Sequence, residues 1–88
     1  MSQVAVRVYD FTLTLSGVDE LTVEVADALF EAGCDDASPH SEGTIVHLDF
    51  HREAESLGKA IGSAINDVEH AGFGVARVEV DASKRGPM

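Results

Sequence analysis

The sequence predicts an α+β fold in which a strand–helix–strand unit occurs twice. Two observations carry that prediction. The segments Glu31-Ala32-Gly33-Cys34 and His70-Ala71-Gly72-Phe73 end alike, each closing a helix-period stretch with a glycine. Each such stretch also lies between runs in which apolar and polar residues alternate, the period of a half-buried strand.

The first strand is expected from Val4 to Leu15, where Tyr9, Phe11, Leu13 and Leu15 alternate with Asp10, Thr12 and Thr14. Ser16-Gly17 interrupts it. Asp19 occupies a position suited to a helix N-cap, and Leu21, Val25, Ala28, Leu29 and Ala32 then form one apolar stripe that ends at Gly33 in a left-handed C′ conformation. Cys34 to Pro39 is weakly apolar, with Asp35, Asp36 and a proline, which marks an edge strand. Ser41-Glu42-Gly43 supplies a turn into a stronger strand, Thr44 to His51, with Val46, Leu48 and Phe50 on one face and Ile45, His47, Asp49 and His51 on the other.

The second helix is expected from Ser56 to Ala71, with Leu57, Ile61, Ala64, Ile65 and Val68 as its stripe. A last strand, Phe73 to Asp81, alternates Ala76, Val78 and Val80 with Arg77, Glu79 and Asp81. Residues 82–88 are expected to form a polar, flexible tail after a single domain spanning 1–81. Right-handed crossovers place both helices on one face of a four-stranded antiparallel sheet with the first and third strands central, the ferredoxin-like βαββαβ arrangement.

The 88 residues suffice for one modest core, and 44% hydrophobic with 25% charged residues is a globular composition. The formal charge of −10 opposes direct nucleic-acid binding, because phosphate recognition needs clustered cations. Only Lys84-Arg85 are adjacent; Arg7, Arg52, Lys59 and Arg77 are scattered. Such acidity serves solubility and favours a basic protein partner. No apolar run approaches the ~20 residues that span a bilayer, and the N-terminus lacks a signal-peptide pattern, so membrane association is not expected and the expected compartment is the cytoplasm. Cys34 is the lone cysteine and is read as a reduced, partly buried thiol.

Three features bear on function. Asp10, Thr12, His47, Asp49, His51 and Arg77 should line the sheet face left open by the helices. His47, Asp49 and His51 superficially suggest a metal cluster, but alternate residues on a strand are about 6.8 Å apart, so the two histidines stand about 13 Å apart. That span does not suit one ion held at about 2.0 Å from each ligand. No metal is expected, and the face is read as solvated, with Asp10 and Arg77 pairing the histidines. Ser16, Gly17 and Asp19 lie in the turn before the first helix, where backbone N–H groups near the helix start offer a candidate ligand site. Gly58 and Gly62, four apart on the second helix, are read as sites of close packing against the sheet or the first helix. No nucleophile–base pattern or carboxylate pair points to catalysis, so the chain is read as non-catalytic and without a cofactor.

The segments Leu15-Ser16-Gly17-Val18-Asp19-Glu20-Leu21-Thr22, Ala26-Asp27-Ala28-Leu29-Phe30-Glu31-Ala32-Gly33-Cys34-Asp35-Asp36-Ala37 and Leu48-Asp49-Phe50-His51-Arg52-Glu53-Ala54 resemble a little-characterised group of small bacterial domains, over about residues 9–80. In that group a helix-turn-helix segment often follows. The resemblance implies a regulatory or antitoxin-like protein in which this module supplies protein contacts or sensing. Residues 82–88 are too few for a DNA-reading helix pair. A looser similarity, carried by Gly17, is to ACT-type regulatory domains, whose dimers bind a small effector near the corresponding loop.

Two functional expectations follow. One is an interaction or oligomerisation module, acting as a homo-oligomer or with a protein partner, whose last strand from Val75 to Val80 offers an edge for pairing. The alternative is a small-molecule sensor that uses the Ser16–Glu20 turn.

Overall fold

A computed structural model describes residues 6–80 of the chain. The expected strand start at Val4, the strand end at Asp81 and the tail at 82–88 lie outside those residues. The described elements are β1 (Arg7–Ser16), α1 (Val23–Glu31), β2 (Ala37–Glu42), β3 (Ile45–Ala54), α2 (Leu57–His70) and β4 (Gly74–Val80). The sheet order is β2-β3-β1-β4 with every neighbouring pair antiparallel, so the chain has the ferredoxin-like α+β fold and β1 and β3 are central. No helix among the described residues is long and apolar enough to cross a membrane.

Side-chain parity decides which surface each strand buries. Phe11, Leu13 and Leu15 of β1 and Val46, Leu48 and Phe50 of β3 are all buried, as the alternation requires. Registration brings Leu13 opposite Leu48 and Phe11 opposite Phe50, whose rings stack with centroids 5.2 Å apart and planes 8° from parallel. Ala60, Ala64 and Val68 of α2 and Leu29 of α1 close the core from above. Burying each large apolar side chain contributes about 1.5–3 kcal/mol, so this layer is the main source of stability. The helices share the work unequally. α2 packs on β1, β3 and β4 and buries three residues along its length, whereas the shorter α1 buries only Leu29.

The twin helix endings are the same structure built twice. At α1, Gly33 N–H donates to Phe30 C=O and Cys34 N–H to Leu29 C=O. At α2, Gly72 N–H donates to Glu69 C=O and Phe73 N–H to Val68 C=O. Both are Schellman closures, with Gly33 at φ +119 and Gly72 at φ +100. Cys34 and Phe73 then turn back onto the core beside Leu29 and Val68.

Five local expectations are corrected. Thr22, not Asp19, caps α1: Thr22 is extended at φ −104 and its hydroxyl accepts from Val25 N–H at 3.2 Å. Starting the helix there leaves Val18 and Leu21 on the preceding loop, packed against the core, and Asp19 exposed. β2 begins at Ala37, three residues after the expected start, because Cys34 is pinned to the end of α1 and its carbonyl accepts from Ala37 N–H, closing a turn over Asp35 and Asp36. The hairpin turn is correspondingly Gly43-Thr44, with Gly43 at φ +62 in the first central position.

In β4, the register with β1 slips between Thr14 and Leu15, leaving Ala76 as the extra residue of a bulge. Val75 therefore meets the core in place of Ala76, while Val78 and Val80 keep the helix side opposite Leu13 and Phe11. Lastly, Gly58 and Gly62 face outward. A Cβ at Gly62 would meet nothing within 4 Å, and one at Gly58 would only graze the Ser56 hydroxyl at 4.0 Å, so neither glycine is required by packing.

Candidate functional site

The open sheet face collects nearly all of the polar residues singled out from the sequence. Cross-strand register sets them in rows. Thr14, His47 and His40 align on β1, β3 and β2, with Arg77 of β4 beyond Thr14. Thr12, Asp49 and Ser38 align in the next row, with Glu79 beyond Thr12, and Asp10 with His51 in the third.

Hydrogen bonds run along and between these rows. Thr12 Oγ1 donates to Asp49 Oδ1 at 2.7 Å, and Asp49 Oδ2 lies 3.1 Å from His40 Nε2. His47 sits between Thr14 Oγ1, 3.2 Å from its Nδ1, and Glu42 Oε1, 3.5 Å from its Nε2. Its ring stacks on that of His40 with centroids 5.1 Å apart. His51 Nδ1 meets Asp10 Oδ1. A shallow depression on this face is lined by Asp10, Thr12, Ser38, Asp49 and His51, with Phe11 and Phe50 at its floor.

The structure thus brings Asp10, Thr12, His47, Asp49 and His51 onto one surface, each histidine taking its own carboxylate. Arg77 lies on the same surface but pairs with Glu79 of its own strand at 3.2 Å, not with the histidines. His40 is a member the sequence reading missed. The three-residue shift of β2 is what carries it opposite His47. Among the described residues, no group of three or more His, Cys, Asp or Glu is placed to hold one metal ion.

Ser16, Gly17 and Asp19 are exposed and not gathered around a common centre. Ser16 ends β1 opposite Gly74, and Gly17 turns the chain at φ +82. Because the helix starts at Val23, its unpaired N–H groups lie several residues beyond that turn.

The most connected polar residue, also missed, is Arg52. It follows Val46, Leu48 and Phe50 in parity and therefore points under the helices, its guanidinium over the Phe50 ring at 5.0 Å. Nε and Nη2 grip the two Asp36 oxygens at 2.7 and 2.8 Å, Nη2 also donates to Gly33 C=O at 2.7 Å, and Nη1 reaches Asp67 Oδ2 and Ser63 Oγ, both at 3.0 Å. One side chain thereby ties the end of α1, the approach to β2, β3 and α2 together. Burial alone would raise the Asp36 carboxyl, but the hydrogen bonds and charge of Arg52 outweigh it and hold that carboxyl below its ordinary range. The even-number parity of β3 was the signal that could have found it.

Cys34, buried at the foot of α1, borders a small cavity with Ala26, Leu29, Phe30, Pro39 and Leu48. Burial first, then the nearby Asp67 charge, push its thiol up to about 11, which keeps it protonated and unreactive near neutrality.

Compared with known proteins, the chain matches no family model, no curated protein and no solved structure.

Proposed function

We propose that this domain is a non-catalytic interaction or oligomerisation module of a bacterial regulatory, antitoxin-like system, working by self-association or by binding a protein partner in the cytoplasm. The observation that carries the reading is the β4 border. It pairs with β1 alone among the described strands, and Val78 and Val80 stay 38% and 49% exposed on the helix side although α2 packs on β4. A row of unpaired backbone groups beside half-exposed valines favours addition of a further strand. The carboxylates of the open face are already occupied by threonine, histidine and arginine, an arrangement that supports a structured polar surface more than a reaction centre.

The test is association. Size-exclusion chromatography with light scattering on the purified chain, together with affinity capture from a bacterial lysate, should find a self-associated species or a specific companion protein. A strict monomer that retains no protein would refute the reading.

A further inference from the structure

We infer that β4 pairs with β4 of a second copy of this chain, antiparallel and centred on Val78, joining two four-stranded sheets into one of eight strands. This rests on the reading of the domain as an association module and specifies its partner and register.

Strand geometry limits the choices. A two-fold axis perpendicular to the sheet keeps the helix side of one copy continuous with that of the other, so the residue on the axis must face its own counterpart. Beyond the bulge the regular part of β4 runs from Arg77 to Val80, and for the residues on both sides of the centre to pair within the described strand, the centre can fall on Arg77, Val78 or Glu79. Centring on Arg77 sets arginine against arginine, and centring on Glu79 sets glutamate against glutamate; both are unfavourable directly across strands. Centring on Val78 sets Arg77 of each copy opposite Glu79 of the other, two opposite-charge pairs on the open face. Arg77 and Glu79 already lie 3.2 Å apart within one strand, so the joined edges bring four charges of alternating sign together.

On the helix side the two Val78 side chains meet across the axis, covering apolar surface that one copy leaves exposed. The overall charge of −10 does not oppose this edge locally, because Gly74–Val80 carries one arginine and one glutamate. The opposite border is a poor competitor. Pro39 in the middle of β2 has no N–H to give, and β2 carries His40 and Glu42.

Charge exchange tests the register in the full chain. Sedimentation equilibrium should show a dimer whose dissociation constant rises about ten-fold or more in Arg77→Glu and in Glu79→Arg, since each converts two attractive pairs into repulsive ones. The double exchange Arg77→Glu/Glu79→Arg should restore the parent affinity. All these side chains are exposed, and circular dichroism should show each variant folded.

Val78→Cys should form an intermolecular disulfide on mild oxidation, because directly opposite Cα atoms stand about 4.5–5.5 Å apart. Val80→Cys, set opposite Ala76 in this register, should not. A dimer indifferent to the charge exchanges and to Val78→Cys would overturn the register and leave the association reading standing. Growth into larger species would overturn it in favour of β4 pairing with β2. A monomer at every concentration overturns self-pairing, and one that also captures no protein overturns the association reading with it.

Discussion

β2 borders the sheet with six residues that include Pro39, and two of its side chains, His40 and Glu42, approach Asp49 and His47 of the neighbouring β3; β4 borders it with seven residues, a bulge and two half-exposed valines. Just before β2, Arg52 anchors Asp36 and the end of α1. Beyond the bulge, the ion pair of β4 among the described residues is the exposed Arg77–Glu79 pair on its own strand. The two borders of one sheet have been given opposite treatments. Where a strand is short and polar, its place is secured by ion pairs from the interior; where it is longer and apolar, it keeps its pairing capacity.

Breaking the secured border should have the largest effect. Arg52→Met leaves the Asp36 and Asp67 carboxylates without their guanidinium. Removing one partner of a buried pair costs about 3–5 kcal/mol, and the partial exposure of both carboxylates reduces this to about 2–4 kcal/mol in urea denaturation. A loss under about 1 kcal/mol would show that β2 does not depend on this anchor.

Gly33→Ala comes next. At φ +119 an L side chain is strained, and its Cβ would come 2.8 Å from Asp67 Oδ2, the oxygen that Arg52 holds, so about 1–3 kcal/mol should be lost. Gly72→Ala has open space around its Cβ and should cost less, a difference that separates backbone strain from steric conflict.

The same border gives the pH dependence. The folded pKa of Asp36 is depressed, so its contribution is complete above the ordinary value of 3.8 and is lost as pH falls through that value toward the folded one. Asp36→Asn should cost about 1.5 kcal/mol at pH 7. The gap between parent and variant should close in acid, and equal gaps at pH 7 and pH 3 would contradict the assignment.

Smaller effects are expected at exposed positions away from the Arg52 anchor, on the outer face of α2 and on β4. Gly62→Ala lies on the outer surface of α2 with nothing near the new methyl, so it should stabilise the fold by about 0.8–1 kcal/mol. Val78→Thr should change the stability of the monomer by less than about 0.5 kcal/mol while weakening association. If it destabilised the monomer as much as Gly33→Ala, the contrast between the borders would fail.

The residues that were legible in the sequence are those whose environment is set by local periodicity. Parity along β1 and β3 assigns Asp10, Thr12, His47, Asp49 and His51 to the open face, and the repeated Ala-Gly endings locate both Schellman turns. His40 and Arg52 were missed for different reasons. His40 depends on where β2 begins, which is fixed by the hydrogen bonds of Cys34 to α1 and Ala37. Arg52 had the correct parity, but its role appears only when Asp36 and Asp67, 16 and 15 residues away along the chain, are brought beside it.

By itself, then, the sequence determined the element order, the buried face of β1 and β3, the extent of α2 and the glycines that stop both helices, because alternation, helical spacing and positive-φ turns are properties of a few consecutive residues. Tertiary structure alone decided the cap at Thr22, the register of β2, the bulge at Ala76 and the outward turn of Gly58 and Gly62. Each of those choices is a competition between local alternatives of nearly equal energy, and contacts with residues distant in the chain settle it.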